Sequence, residues 1–203
     1  MAVHVFLFIV CVLPVMVLGY QDGAGASACL DLKPHHDGTT ANTSPHPYTL
    51  TADTTSIKQG GMVTVTLNAT ATNGYFKGFL VQARCTKCTT ADTAIVPGTF
   101  AKYTAADDTK TMDCANIAKN SMTHTSSSMK TTVMFTWTAP SDYDVSQGVQ
   151  FRATIVQVKA TWWTNVLSQE ITVTTAAPNS TTQAAPLLAL IISFSVVVSS
   201  LLA

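Results

Sequence analysis

Apolar and polar residues alternate with a period of two along several stretches of the chain. In residues 62–67, Val63, Val65 and Leu67 fall on one side and Met62, Thr64 and Thr66 on the other. Residues 131–138 place Val133, Phe135 and Trp137 on one face. Residues 149–158 do the same with Val149, Phe151, Ala153 and Ile155. Residues 76–84 read as a further strand, 48–50 as a short one, and 171–173 close the series. This alternation marks half-buried strands of antiparallel sheets. Turn clusters lie between them: Gln59 to Gly61, Asn73-Gly74, Pro97-Gly98, Ala139 to Asp142, and Gln147-Gly148. The spacing predicts an all-β protein, an antiparallel β-sandwich. No long stretch has helical periodicity. Residues 103–130 are polar and predict loops, with one short strand near Thr111 to Cys114.

The two ends depart from this pattern. Residues 2–18 are almost wholly apolar, and the run breaks at Gly19. It reads as a signal peptide over residues 1–19, with Val17 and Gly19 as the small residues before the cut. A membrane anchor is the competing reading. Residues 187–203 form a second apolar run, and no charged residue follows Glu170. Small residues, a short polar spacer and an apolar tail make a GPI-attachment signal, for which Asn179 or Ser180 is the expected site. An uncleaved tail anchor is the alternative. Residues 176–186 form a Thr/Ala/Pro stalk of the kind that carries O-glycans. That leaves residues 20–175 as one folded domain.

Composition sharpens the picture. The 203 residues include 33 Thr and a single Glu, which favours strands over helices. Eleven basic residues balance eleven acidic ones, so no electrostatic footprint for nucleic acid is expected. The 22 charged side chains all belong to the central domain and the first apolar run carries none, so that domain is less apolar than the whole chain.

Cys11 falls in the first apolar run. Cys29, Cys85, Cys88 and Cys114 remain, an even number that fits two disulfides with three connectivities. We favour Cys29–Cys114 with Cys85–Cys88. The Cys85-Thr-Lys-Cys88 spacing also matches redox and zinc motifs. The first lacks a following helix, and the second needs thiols that an oxidising compartment removes. Sequons stand at Asn42, Asn68 and Asn179 and predict a glycoprotein.

The order of short motifs has a family likeness. Cys29 is followed by Lys33-Pro-His-His36, then by Phe76-Lys-Gly-Phe-Leu-Val-Gln-Ala-Arg84 and Pro97-Gly-Thr-Phe100. Next come Asp113-Cys114, Trp137-Thr-Ala-Pro140 and Val149-Gln-Phe-Arg-Ala-Thr154. Over residues 23–173 this resembles a reeler (reelin N-terminal) domain. The resemblance implies an immunoglobulin-like β-sandwich and a long-range disulfide at Cys29 and Cys114. Cys85 and Cys88 have no equivalent in the family pattern. Reeler domains occur in matrix glycoproteins, in membrane ferric-chelate reductases, and alone in small secreted defence proteins linked to bacterial surfaces. The single-domain size is most similar to the last group. At 203 residues the chain is not expected to have room for the haem-binding membrane helices of the reductases or to share their activity.

Catalytic motifs are missing: there is no GxSxG, HExxH, P-loop or GxGxxG. Asp107-Asp108 and the Asp142/Asp144 pair read as turn carboxylates without calcium-loop spacing. His35, His36 and His46 read as loop histidines, and His124 has no nucleophile beside it in sequence. No enzyme activity, cofactor or metal is expected. The adjacent Trp162 and Trp163 are candidate ligand contacts, because one of two neighbouring strand residues faces away from the core when the other faces in. The competing reading puts both under a strand-end loop. Lys77 and Arg84 are candidate cations for an anionic surface. The expectation is an extracellular, membrane-tethered glycoprotein whose partner is a microbial glycolipid, or else a component of extracellular or skeletal matrix.

Overall fold

A computed structural model describes residues 20–90 and 94–177. The segments read as signal peptide and apolar tail, with Asn179 and Ser180, lie outside the described residues. After a 3-10 turn at Ala26–Cys29, ten strands follow: β1 Tyr48–Ala52, β2 Ser56–Lys58, β3 Met62–Ala69, β4 Gly78–Cys85, β5 Thr99–Lys102, β6 Thr109–Cys114, β7 Ile117–His124, β8 Thr132–Thr138, β9 Gly148–Val158 and β10 Thr161–Thr174. They form a four-stranded sheet, β1-β3-β8-β5, and a six-stranded sheet, β2-β10-β9-β4-β7-β6. The chain crosses between the sheets repeatedly, as in a Greek-key sandwich. Among the described residues no helix is long and apolar enough to cross a membrane.

The alternating strands behave as their pattern dictates. Val63, Val65 and Leu67 of β3, and Val133, Phe135 and Trp137 of β8, point into the sandwich. Their Thr neighbours stay at the outer face, partly exposed. Phe79, Val81 and Ala83 of β4, with Val149, Phe151, Ala153 and Ile155 of β9, meet them from the other sheet. Aromatic pairs bridge the two layers: Phe79 stacks on Phe135 at 6.4 Å, and Trp137 meets Phe151 edge-on at 5.5 Å.

Three expectations need correction. The sheets are not wholly antiparallel: β2 runs parallel to the end of β10. The short crossing from β1 delivers β2 to that edge in the same direction, held by Thr172 N–H donating to the Thr55 carbonyl. Residues 103–130 are only partly loop: the short strand expected near Thr111 to Cys114 is the end of β6, and β6 forms a hairpin with β7, which was not expected. Its turn is Ala115-Asn116, with φ of 53° and 62°, the left-handed pair of a type I′ hairpin. Finally, β10 spans fourteen residues, with register shifts after Trp163 and Leu167 that scramble its alternation.

Candidate functional site

The outer face of the six-stranded sheet is not left to solvent. Every residue of β4 is buried, including the outward-facing Leu80, Gln82 and Arg84. The cover is the N-terminal segment, residues 20–46. Cys29 is bonded to Cys114 at the end of β6, and Cys85 to Cys88. Ala28 and Leu32 pack on Leu80 in a second, smaller apolar cluster. Leu32 and His35 adopt left-handed backbone (φ 57° and 49°), which costs energy for such residues and which the Leu32 burial offsets.

Beneath this cover runs a buried polar network. Arg84 Nη2 donates to the carbonyls of Cys29 and Leu30, each at 3.1 Å, and to the Gln82 side-chain carbonyl. Gln82 Nε2 donates to the Cys29 carbonyl at 3.1 Å and to Ser121 Oγ at 3.0 Å. Arg84 is therefore a structural clamp and not a surface cation; the correction follows from the cover, which the strand pattern does not reveal.

The tryptophans are corrected for the same reason. Trp163 pairs with Ile155 and faces the core, where its ring lies 5.4 Å from Tyr48. Trp162 pairs with Val156 and faces the other way, as alternation requires. Both are nonetheless buried. Trp162 Nε1 donates to Thr39 Oγ1 at 3.0 Å, and Trp163 Nε1 to the Ser44 carbonyl at 3.2 Å. Residues 39–44 lie over them, so neither is an exposed contact.

Lys77 does reach a site. A cleft of about 280 Å³ opens between the N-terminal segment and the outer face of β4 and β9. Its apolar lining includes Ala28, Leu32, Gly78, Leu80, Val156 and Val158, and Lys33, Lys77 and Lys159 stand around it. Asp37 is the one carboxylate in the lining. His36 Nδ1 lies 2.8 Å from the Lys159 carbonyl and ties the segment to the β9–β10 turn. At the other end, Lys130 Nζ donates to the carbonyls of Lys77, Ser126 and Ser128 and fixes the loop that carries Ser127. Burial lowers the Lys130 ammonium below its usual range, and Asp108 opposes that shift.

His124 sits in the cleft wall, its ring against Gly78, where any side chain would crowd it. Its Nδ1 accepts from the Phe79 N–H at 3.2 Å, and the Nε2 hydrogen of the neutral tautomer reaches the Tyr20 carbonyl at 3.2 Å. Burial lowers its pKa below the ordinary imidazole value; the Phe79 and Tyr20 carbonyls act the other way, and Lys130 and Lys110 reinforce burial. Sequence reasoning missed this cleft and the place of His124 in it. The one signal was β7, whose buried residues other than Met122 are polar: Asn120, Ser121, Thr123 and His124.

The remaining candidates are placed apart. Asn42 is exposed, with Oδ1 accepting from the Ser44 N–H and hydroxyl. Asn68 is half-buried on the outer face of β3, donating to the Ala69 carbonyl and accepting from Thr132. Lys87 pairs with Glu170 at 3.2 Å, away from the cleft. Among the described residues no three His, Cys, Asp or Glu side chains are grouped to hold a metal.

These features define a disulfide-tied β-sandwich with a ligand-sized cleft under its N-terminal cover. The reeler domain family model matches residues 27–179, and the chain belongs to that family. It is 34% identical over 171 residues to "Putative defense protein 3" of Antheraea mylitta, covering 83% of this chain and 96% of that protein. It is also 34% identical over 156 residues to "Putative ferric-chelate reductase 1" of Danio rerio. That match covers 77% of this chain but spans only 26% of the reductase. The human F-spondin reeler domain superposes with a TM-score of 0.51 at 23% identity, over 67% of this chain and 94% of that domain, a likeness of fold.

Proposed function

We propose that this protein is a non-enzymatic, extracellular recognition protein of innate defence that binds anionic glycolipid of microbial surfaces at the cleft. The observation that carries the reading is an apolar cleft ringed by Lys33, Lys77 and Lys159. An apolar cavity with a few convergent polar groups is the usual form of a small-ligand site. The names of the defence-protein relatives, which this chain matches over nearly their whole length, support the same direction. With no net charge on the chain, attraction at long range is weak, so the apolar contact has to carry much of the affinity. The sequence of the two apolar ends supports secretion and GPI attachment at Asn179 or Ser180; phospholipase treatment of intact cells then releases the protein.

The test is binding of the purified protein to lipoteichoic acid and lipopolysaccharide vesicles at low and physiological salt. Saturable binding that the Lys77→Glu/Lys159→Glu double variant weakens supports the reading. Absence of binding at low salt overturns it.

A second reading, an adhesive or skeletal matrix glycoprotein, is favoured by one surface. The outer face of the four-stranded sheet carries Thr49, Thr51, Thr64, Thr66, Thr136 and Thr138 on adjacent paired strands. Recovery of the peptides from washed mineral or matrix supports that reading; confinement to blood cells opposes it.

A further inference from the structure

We infer that the cleft takes a single-chain anionic amphiphile, its alkyl chain on the apolar floor, its acidic head among Lys33, Lys77 and Lys159, and a linkage oxygen on the Thr154 hydroxyl. The inference rests on the reading of the cleft as the ligand site and narrows what enters it.

Size sets the first limit. Ligand sites usually measure about 300–1,000 Å³, and this one, at about 280 Å³, lies at the low end. That is room for one narrow chain and not for the several chains of a membrane glycolipid. A multi-chain lipid can offer only one of its chains.

Chemistry sets the second. Leu80, Ala28 and Leu32 form a continuous buried wall, and Val156 and Val158 continue it toward solvent. Of the groups around the mouth, the imidazoles are already committed. His36 is held to the Lys159 carbonyl, His124 to Tyr20 and Phe79, and His35 stands 3.3 Å from Asp31. The side-chain ammonium groups of Lys33, Lys77 and Lys159 have no hydrogen bond or ion pair among the described residues. Three such cations border the cleft against the single carboxylate of Asp37, which favours an anionic head over a neutral or cationic one.

The third observation is independent of both. Thr154 lines the cleft on β9, it is 3% exposed, and its Oγ1 has no hydrogen-bond partner. A buried hydroxyl without a partner carries a desolvation cost that a bound oxygen removes. Thr154 pairs with Leu80, one step inward from the Gly78–Val156 pair. An ester or acid oxygen at the junction of head and chain therefore meets it, whereas a bare alkane leaves it unpaired.

The experiment is calorimetric titration of the full secreted protein with 1-lauroyl lysophosphatidic acid below its micelle concentration. Glycerol phosphate, dodecyltrimethylammonium and dodecyl maltoside serve as comparisons. The expected result is one-to-one binding of the lysophosphatidic acid, at least about tenfold tighter than any comparison probe. Thr154→Val, which keeps the shape and deletes the hydroxyl, weakens it about fivefold. Val156→Trp fills the cleft and removes binding, with an unchanged circular dichroism spectrum. Should that variant misfold, Val158→Trp blocks the mouth from a more exposed position. Equal binding of glycerol phosphate or of the cationic detergent overturns the inference, as does full binding by a folded Val156→Trp or Val158→Trp protein. Lipoteichoic acid vesicles separate the two readings. Vesicle binding without lysophosphatidic acid binding overturns the single-chain site and leaves surface recognition standing. Loss of both overturns both.

Discussion

Arg84 Nη2 donates to the main-chain carbonyl of Cys29 across 3.1 Å, joining the central strand of one sheet to the segment that covers it. The same carbonyl accepts from Gln82 Nε2. Two side chains of β4 thus hold one peptide group of the cover at the point where Cys29 is also cross-linked to Cys114. The cleft exists because this corner is pinned three ways.

Arg84→Met is expected to cost about 3 kcal/mol of unfolding free energy, since it leaves the Cys29 and Leu30 carbonyls short of a charged donor. Arg84→Lys recovers little of it, because a single ammonium cannot reproduce the planar fork. Chemical denaturation of the oxidised protein measures both. A cost below about 1 kcal/mol for Arg84→Met contradicts the clamp.

How much of this was legible in the sequence depends on whether polarity tracked burial. In β3 and β8 it did: Val, Phe and Trp alternate with Thr, and the strands lie where the alternation puts them. In β7 it did not. Ser121 and Thr123 are buried and partnered by Gln82 and the Phe79 carbonyl, so a polar sequence forms an interior strand. Arg84 and Trp162 misled for the complementary reason. Alternation correctly set them on the outer face of their sheet, yet that face is covered by a segment some fifty residues or more away in sequence. Lys77 was legible as a cation, but its company of Lys33 and Lys159 depends on tertiary folding alone.

His124 makes stability depend on pH in a stated direction. Burial holds its pKa below the ordinary 6.5, and the charged groups acting on it, Lys130 and Lys110, are both cations. As pH falls, the unfolded chain binds the proton first. The stabilisation is complete above 6.5 and is lost as the pH falls from there through the folded value. Protonation also removes the acceptor that Nδ1 offers to the Phe79 N–H. Melting temperatures measured between about pH 7.5 and pH 5 are expected to fall, and His124→Gln to flatten that part of the curve. An unchanged slope in the variant assigns the effect to another group.

Gly98 tests the packing of the core on a single atom. A Cβ there would fall within the indole of Trp137, which is fully buried between Phe151 and β5. Neither the ring nor the strand has room to retreat at native packing density. Gly98→Ala is expected to destabilise the fold by about 2 kcal/mol, with a shifted near-ultraviolet spectrum from the displaced indole. Gly38, which has nothing within 4 Å of such a Cβ but has φ of 70°, should pay only the smaller backbone cost of about 1 kcal/mol on substitution to Ala.

The two disulfides predict unequal effects that separate stability from binding. Cys29 and Cys114 are 85 residues apart, and Cys85 and Cys88 three. In the chain-entropy account the first bond contributes about 4–5 kcal/mol and the second about 2 kcal/mol. Cys29→Ser/Cys114→Ser should therefore lower the denaturation midpoint more than Cys85→Ser/Cys88→Ser. It should also loosen the wall formed by Ala28 and Leu32, which stand on the Cys29 side of the cleft. The short loop touches Gln147, whose side-chain oxygen lies 3.0 Å from Cys88 Sγ, and does not line the cleft. Ligand titration under conditions where both variants remain folded then gives weakened binding for the first pair and wild-type binding for the second. Equal binding by the two would show that the cover is held by Arg84 and Gln82 without help from the cross-link.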